Sequence, residues 1–197
     1  MHRGHLSSPL FPPKLPDGLA RAVQRWGVRP SRYVLCASVA TQTMGLFEKA
    51  EGSPGAARFP SYEFRRRLLI STSRFGIGQA ADSNFTPLGL HRIGVKAGGG
   101  YPVGTVFKSR QPVGFTWQGL PEAGIAHRIL WLEGLEPGWN RGGAVDTHRR
   151  YVYIHGCGDE LTIGRPASHG CLHLSAADIM PLYDRLPVGT LVWIAER

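Results

Sequence analysis

Apolar and polar positions alternate in short runs along most of the chain, and Gly, Pro and polar clusters break the runs at close intervals. Segments 32–38, 41–47, 66–72, 103–108, 127–133, 150–155 and 190–195 read as strands. Their spacing suits a compact β sandwich or barrel. Two stretches follow the helical period instead. Leu19, Ala22, Val23 and Trp26 recur at i, i+3, i+4 and i+7 behind a candidate cap at Asp17, and Gly27 ends the pattern. Ser175 with Asp178 three positions on has the form of a helix start, and Ile179, Leu182, Tyr183 and Leu186 then share a face. Pro181 interrupts that face, so the helix either kinks there or begins there. Residues 1–16, with four prolines, read as an extended arm. The pattern predicts a mostly β protein with one or two short helices, divided into a leading segment over 1–31 and a main domain over 32–197.

At 197 residues the chain buries roughly 70% of its unfolded surface, so it needs no metal or disulfide merely to hold together. A cluster of Cys and His therefore asks first for a chemical explanation. The 26 Gly and 15 Pro, about a fifth of the chain, fit a turn-rich β fold. Lys and Arg number 23 against 14 acids, a net charge of +9, and lysine appears only at Lys14, Lys49, Lys96 and Lys108. Such a surface suits an anionic partner or is simply solvated. The arginines are scattered apart from Arg65-Arg66-Arg67, which suits a charged sheet edge, and no nucleic-acid motif accompanies them. Nucleic acid is therefore not expected as a partner. No run reaches the ~18 apolar residues of a membrane span, and residues 1–9 lack the apolar centre of a signal segment. Gly98-Gly99-Gly100 lacks the Lys-Ser/Thr of a phosphate loop and reads as a turn.

Chemistry concentrates between Tyr151 and Leu174, where His155, Cys157, His169, Cys171 and His173 fall close together. Cys36, in an apolar run, reads as a small buried side chain. Three explanations compete for the cluster. In the first, Cys171 is a nucleophile: a thiol needs a neighbouring imidazole or cation to become a thiolate, and His155 stands at a strand end sixteen residues earlier. Gly156, Gly158, Gly164 and Gly170 would ease the return of the chain, and Gly170 would let substrate come close to the backbone beside Cys171. Cys171 also precedes the expected helix start, where backbone N–H groups favour an anion. In the second, the cluster binds zinc, but its i, i+2 spacing lacks the usual paired-ligand patterns. In the third, these residues only fill a core and a loop, which leaves Ser168-His169-Gly170-Cys171 as coincidence.

Ile154-His155-Gly156 together with Ile163-Gly164-Arg165-Pro166-Ala167-Ser168-His169-Gly170-Cys171-Leu172 resembles the L,D-transpeptidase catalytic domain, the YkuD family. Phe85-Thr86-Pro87-Leu88-Gly89-Leu90-His91-Arg92-Ile93 resembles the family's Thr-Pro-x-Gly lead-in to a strand. Leu182-Tyr183 and Val188–Val192 resemble its closing helix and strand, so the likeness covers roughly 32–195. The resemblance implies a YkuD-like β sandwich or barrel and acyl transfer on peptidoglycan stem peptides, as donor and acceptor, forming 3→3 cross-links. It implies no cofactor and no metal. Cys171 would carry the acyl group, and His155 would take its proton, oriented by the Gly156 carbonyl. N–H groups around Gly170 and Cys171 would hold the oxyanion. Ser168, His169, His173 and Arg165 would shape the substrate pocket. His173 stands where the family usually has Arg, so Arg165, Arg92 or Arg149 would have to supply that charge. Cys157 is a second departure, either a bystander or a disulfide partner for Cys171 if their Cα atoms lie within ~7 Å. An L,D-carboxypeptidase using the same site is the near alternative, and a non-catalytic module binding zinc or an anionic polymer is the distant one. The resemblance places the protein in the cell envelope or periplasm. It leaves the oligomeric state open.

Overall fold

The computed structural model describes residues 14–52 and 59–197. Most of the expected arm, residues 1–13, lies outside the described residues. Ten strands follow helix α1 (Asp17–Arg25): β1 (Tyr33–Ser38), β2 (Thr43–Lys49), β3 (Tyr62–Leu69), β4 (Gly89–Ala97), β5 (Thr105–Lys108), β6 (Gln111–Phe115), β7 (Ala126–Gly134), β8 (Tyr153–Gly156), β9 (Leu172–Leu174) and β10 (Leu191–Ala195). Helix α2 (Ala176–Arg185) lies between the last two strands. The protein is mostly β, as the alternation predicts, and the strands form one open sheet in the order β3-β2-β1-β10-β4-β7-β5-β6. Strand β8 pairs with β7, and β9 pairs with β8. Among the strand pairs of the described residues, only β1/β10 and β8/β9 are parallel.

Several strands are apolar on both faces because both faces are covered. In β1, Tyr33, Leu35 and Ala37 enter a core shared with Leu130, Ile154, Leu172 and the α2 residues Ile179 and Leu182. Val34 and Cys36 turn the other way, onto Leu19, Ala22 and Val23 of α1. The leading helix thus shares a core with the sheet. Alternation along β2 feeds Met44 and Leu46 to the first core and Phe47 to the second, and a bulge opposite them leaves Arg65 as the extra residue in β3.

Strands β4, β6 and β9 lie outside the seven predicted runs, although the family-like stretch 85–93 leads into β4. Strand β6 contains a proline and is largely exposed, and β9 has only three residues. Neither shows a usable alternation. Strand β3 begins at Tyr62, four residues ahead of the predicted run, because it is the sheet edge and presents charge to water. There Arg65 pairs with Glu48 and Glu63, and Arg66 pairs with Asp178. Pro16 rather than Asp17 caps α1. Helix α2 does not begin at Pro181. It begins after Ser175, with the Ala176 N–H bonded to Glu160, and runs through the proline to Arg185. None of the helices among the described residues is long and apolar enough to cross a membrane.

Gly89 opens β4 at φ +99°, and a Cβ there would fall 2.2 Å from Glu136 Oε1. That carboxylate accepts the Leu90 N–H at 2.5 Å, so the glycine is needed both for its conformation and for its size. Gly89→Ala is expected to cost about 1–3 kcal/mol from the backbone strain alone. The loss would appear as a lower urea midpoint at unchanged slope.

Candidate active site

Period-two alternation decides which side chains meet. Leu130, Ile154, Leu172 and Leu174 point into the main core. The intervening residues Ile129, Trp131, Tyr153, His155 and His173 therefore line the opposite face. Strands β8 and β9 run parallel with His155 opposite His173, which brings Tyr153 abreast of Cys171, the residue just before β9. Cys171 packs against the cluster of Phe107, Ile129 and Tyr153 on this face. His155 is its diagonal neighbour across the parallel pair, on the same face. The rings of His155 and His173 lie 4.6 Å apart.

The buried His155 ring is held by its Nδ1, which is 2.8 Å from the Gly156 carbonyl. A carbonyl only accepts, so Nδ1 carries the proton and Nε2 keeps its lone pair. Gly156 itself is squeezed: a Cβ would lie 2.4 Å from the His127 ring and 2.8 Å from the Ala126 carbonyl. The half-buried Cys171 thiol receives the Tyr153 N–H at 3.3 Å and points to the Tyr151 carbonyl at 3.6 Å. Tyr151 is in the left-handed region at φ +55°.

The turn before Cys171 is clamped from within and from outside. Ser168 Oγ donates to the Cys171 carbonyl at 2.6 Å and accepts the Gly170 N–H at 3.1 Å. Thr86 Oγ1 donates to the Gly170 carbonyl at 3.1 Å. Segment 71–74 runs alongside, with Thr72 accepting the N–H groups of Ala167 and Ser168, and Ser71 exchanging bonds with His173. Two expectations change as a result. The Gly170 N–H is committed inside the turn instead of being free for an oxyanion. The close approach that Gly170 permits is made by the protein's own Phe85 carbonyl, 3.2 Å from where a Cβ would sit, and its φ of +118° favours glycine independently.

The charge near the thiol comes from Arg150, which no sequence pattern marked. Its guanidinium donates to the carbonyls of Phe85 at 2.6 Å and Gly78 at 3.2 Å, and its charge favours the Cys171 thiolate. Arg92 instead pairs with Glu133 on the outer face of β4, and Arg149 lines a separate groove with Asp146. Arg165 is exposed, and its carbonyl rather than its guanidinium is used, accepting from Ser71 Oγ at 2.7 Å. His169 also faces outward, its Nε2 accepting a hydrogen bond from the Arg74 guanidinium at 2.9 Å. Burial pushes the Cys171 thiol up to about 11, against the opposing pull of the Tyr153 N–H and Arg150. Burial, then the nearby His173, holds His155 down to about 3. His173 lies near 4, chiefly through burial. The pair thus rests as a neutral thiol and a neutral imidazole.

A model of the L,D-transpeptidase catalytic domain, the YkuD domain, matches residues 32–194. The chain belongs to this family. None of the curated proteins matches it. Among solved structures, Bd1075 of Bdellovibrio bacteriovorus is 13% identical with a TM-score of 0.52, the match covering 85% of this chain and 49% of that one. An L,D-transpeptidase from Mycobacterium smegmatis is 16% identical with a TM-score of 0.46, over 83% and 58%. L,D-transpeptidase 3 from Mycobacterium tuberculosis, in complex with a faropenem-derived adduct, is 16% identical with a TM-score of 0.47, over 84% and 60%. The chain spans about half the length of the Bdellovibrio protein.

In this YkuD domain Cys171 is followed by β9 rather than directly by a helix, so the three strand residues and Ser175 separate the thiol from the start of α2. Cys157 lies four residues beyond Tyr153 on the Gly156 side of β8, which puts it about 13 Å along the ladder from Cys171 at ~3.3 Å per residue. That is too far for a disulfide, and the Cys157 thiol instead bonds the Asp159 carbonyl at 3.4 Å. Among the described residues no three His, Cys, Asp or Glu side chains converge as a metal ligand set.

A neutral resting pair fixes the pH response of the thiol. Alkylation of Cys171 by iodoacetamide, followed by peptide mass spectrometry, is expected to rise about tenfold per pH unit from pH 6 to 9. A flat, fast rate below pH 7 would instead reveal a thiolate–imidazolium pair. Arg150→Gln should lower the rate at fixed pH by removing the cation that favours the thiolate.

Proposed function

We propose that the protein is a cysteine acyltransferase acting on peptidoglycan stem peptides, an L,D-transpeptidase whose nucleophile is Cys171. The observation that carries this reading is the His155 Nδ1 bond to the Gly156 carbonyl at 2.8 Å. It leaves a deprotonated, neutral Nε2 on the same sheet face as the thiol, as a general base requires. Family membership supports the substrate class.

In this reading, Nε2 takes the thiol proton as Sγ bonds to the carbonyl carbon of the diamino acid in a tetrapeptide stem. The tetrahedral intermediate collapses with cleavage of the amide to the terminal D-alanine, and the His155 proton passes to the departing amine. A thioester on Cys171 remains. The amine of a second stem attacks it, gives its proton back through His155, and forms the 3→3 bond as the thiol is released. Because the Gly170 N–H is committed to Ser168 and the Tyr153 N–H to Sγ, the oxyanion donor is the Cys171 N–H, which lies outside the β8/β9 ladder. Ser168 and Thr86 hold the turn that aims it. Such a substrate lies in the cell envelope.

Mass spectrometry of the intact protein with a disaccharide tetrapeptide tests the assignment. An adduct lacking D-alanine is expected on Cys171 and is absent in Cys171→Ala, while Cys157→Ala retains it. His155→Ala should slow its formation by roughly 10²–10⁴-fold. Decay of the adduct with an acceptor stem, but not in water alone, marks a transpeptidase; decay in water marks a carboxypeptidase. D-alanine release by Cys171→Ala would overturn the reading.

A further inference from the structure

A second cation stands over the same face. Lys108 pairs with Gln111, so Ser109 and Arg110 alone close the β5–β6 hairpin. Their φ angles are +50° and +66°, the form of a type I′ turn that Asn-Gly usually fills. An arginine in the second position is strained, and strain of this kind gathers at functional sites. The side chain is also committed to one place. Its guanidinium lies 4.5 Å from the centre of the Trp131 ring and 5.6 Å from that of Tyr151, and Nη1 donates to Tyr153 Oη at 3.1 Å. Tyr153 is the residue whose N–H meets Cys171 Sγ, and Tyr151 supplies the carbonyl facing it. No Asp or Glu among the described residues lies within ion-pair distance of Arg110. A guanidinium has five N–H donors, and only one is engaged with Tyr153. The Arg150 side chain, in contrast, is spent on the carbonyls of Gly78 and Phe85.

We propose that Arg110 binds a carboxylate of the acyl-donor peptide beside Cys171 and so selects donors that carry one. The proposal rests on the transpeptidase reading above. A planar guanidinium backed by an indole, with its remaining donors open, matches a carboxylate in a two-point bond. In a stem whose diamino acid is diaminopimelate, two carboxylates flank the scissile bond, that of the terminal D-alanine and that on the diaminopimelate side chain, and the experiment with this stem separates them.

Acylation of Cys171 is followed by intact mass for wild type, Arg110→Gln and Arg110→Lys. The donors are the free stem, the stem amidated at the diamino acid and the stem amidated at its C-terminus. Arg110→Gln is expected to lower kcat/KM on the free stem by roughly 10- to 100-fold, the weight of a charged hydrogen bond. One amidated stem should cost the wild type a similar factor and show no further loss in Arg110→Gln, which identifies the carboxylate. Arg110→Lys should recover part of the loss. An equal loss in Arg110→Gln on all three donors would overturn the carboxylate role and leave Arg110 as packing for Trp131. Absence of acylation of the wild type by every donor would overturn the transpeptidase reading and this proposal with it.

Discussion

The parallel pairing of β8 with β9 is the contact on which the site depends. It places His155, His173 and Cys171 on one face while Ile154, Leu172 and Leu174 anchor the other in the main core. A slip of one residue would turn the imidazole and the thiol to opposite sides of the sheet. Parallel neighbours need a long connection, and here residues 157–171 supply it without an α-helix. Its register is secured by the strip after β3: the Gly164 N–H bonds the Ile70 carbonyl, and Ala167 and Ser168 bond Thr72. Ser71 Oγ reaches the carbonyls of both Thr162 and Arg165. The loop that presents the cysteine is thus held mainly by main-chain bonds to a segment about a hundred residues earlier.

That arrangement explains what could be read from the chain. Strands covered on one or both faces, such as β1, β7 and β10, announce themselves by apolar runs. The short β9 and the exposed β6 carry no such pattern, since their place is set by partners rather than by their own burial. The cluster of His155, Gly156, Ser168 and Cys171 was legible because the residues are chemically distinctive and close in sequence. Thr86, Ser71, Thr72 and Arg150 act through hydrogen bonds across long separations, and a Ser, Thr or Arg alone carries no sign of such a bond. Arg165 shows the converse. Its neighbourhood in sequence suggested a role for its charge, but the backbone is what the fold uses there.

The net charge of +9 is not evenly unbalanced. Arg32, Arg65, Arg66 and Arg92 sit against carboxylates on the sheet surface. Arg74, Arg110 and Arg150, around the Cys171 turn, rest on partners other than carboxylates: a histidine ring, aromatic rings, a hydroxyl and main-chain carbonyls. Part of the excess cation is therefore held where an anionic ligand would meet it. It also opposes the burial that keeps the thiol protonated, so that the electrostatics of the site lean toward anions while its dryness leans away from them.

The position of β10 has a consequence for how the molecule is made. Leu191–Ala195 lies between β1 and β4, parallel to the first and antiparallel to the second. The strand synthesised after all the others is thus the seam joining the β1–β3 side of the sheet to the β4–β9 side that bears the cysteine. Until it emerges from the ribosome, both halves expose unpaired edges and the main core lacks Val192 and Ile194. Assembly of the domain must wait for translation of that strand to finish, and the long loops it closes favour slow folding. Over that interval the nascent chain is most open to aggregation or to capture by a chaperone.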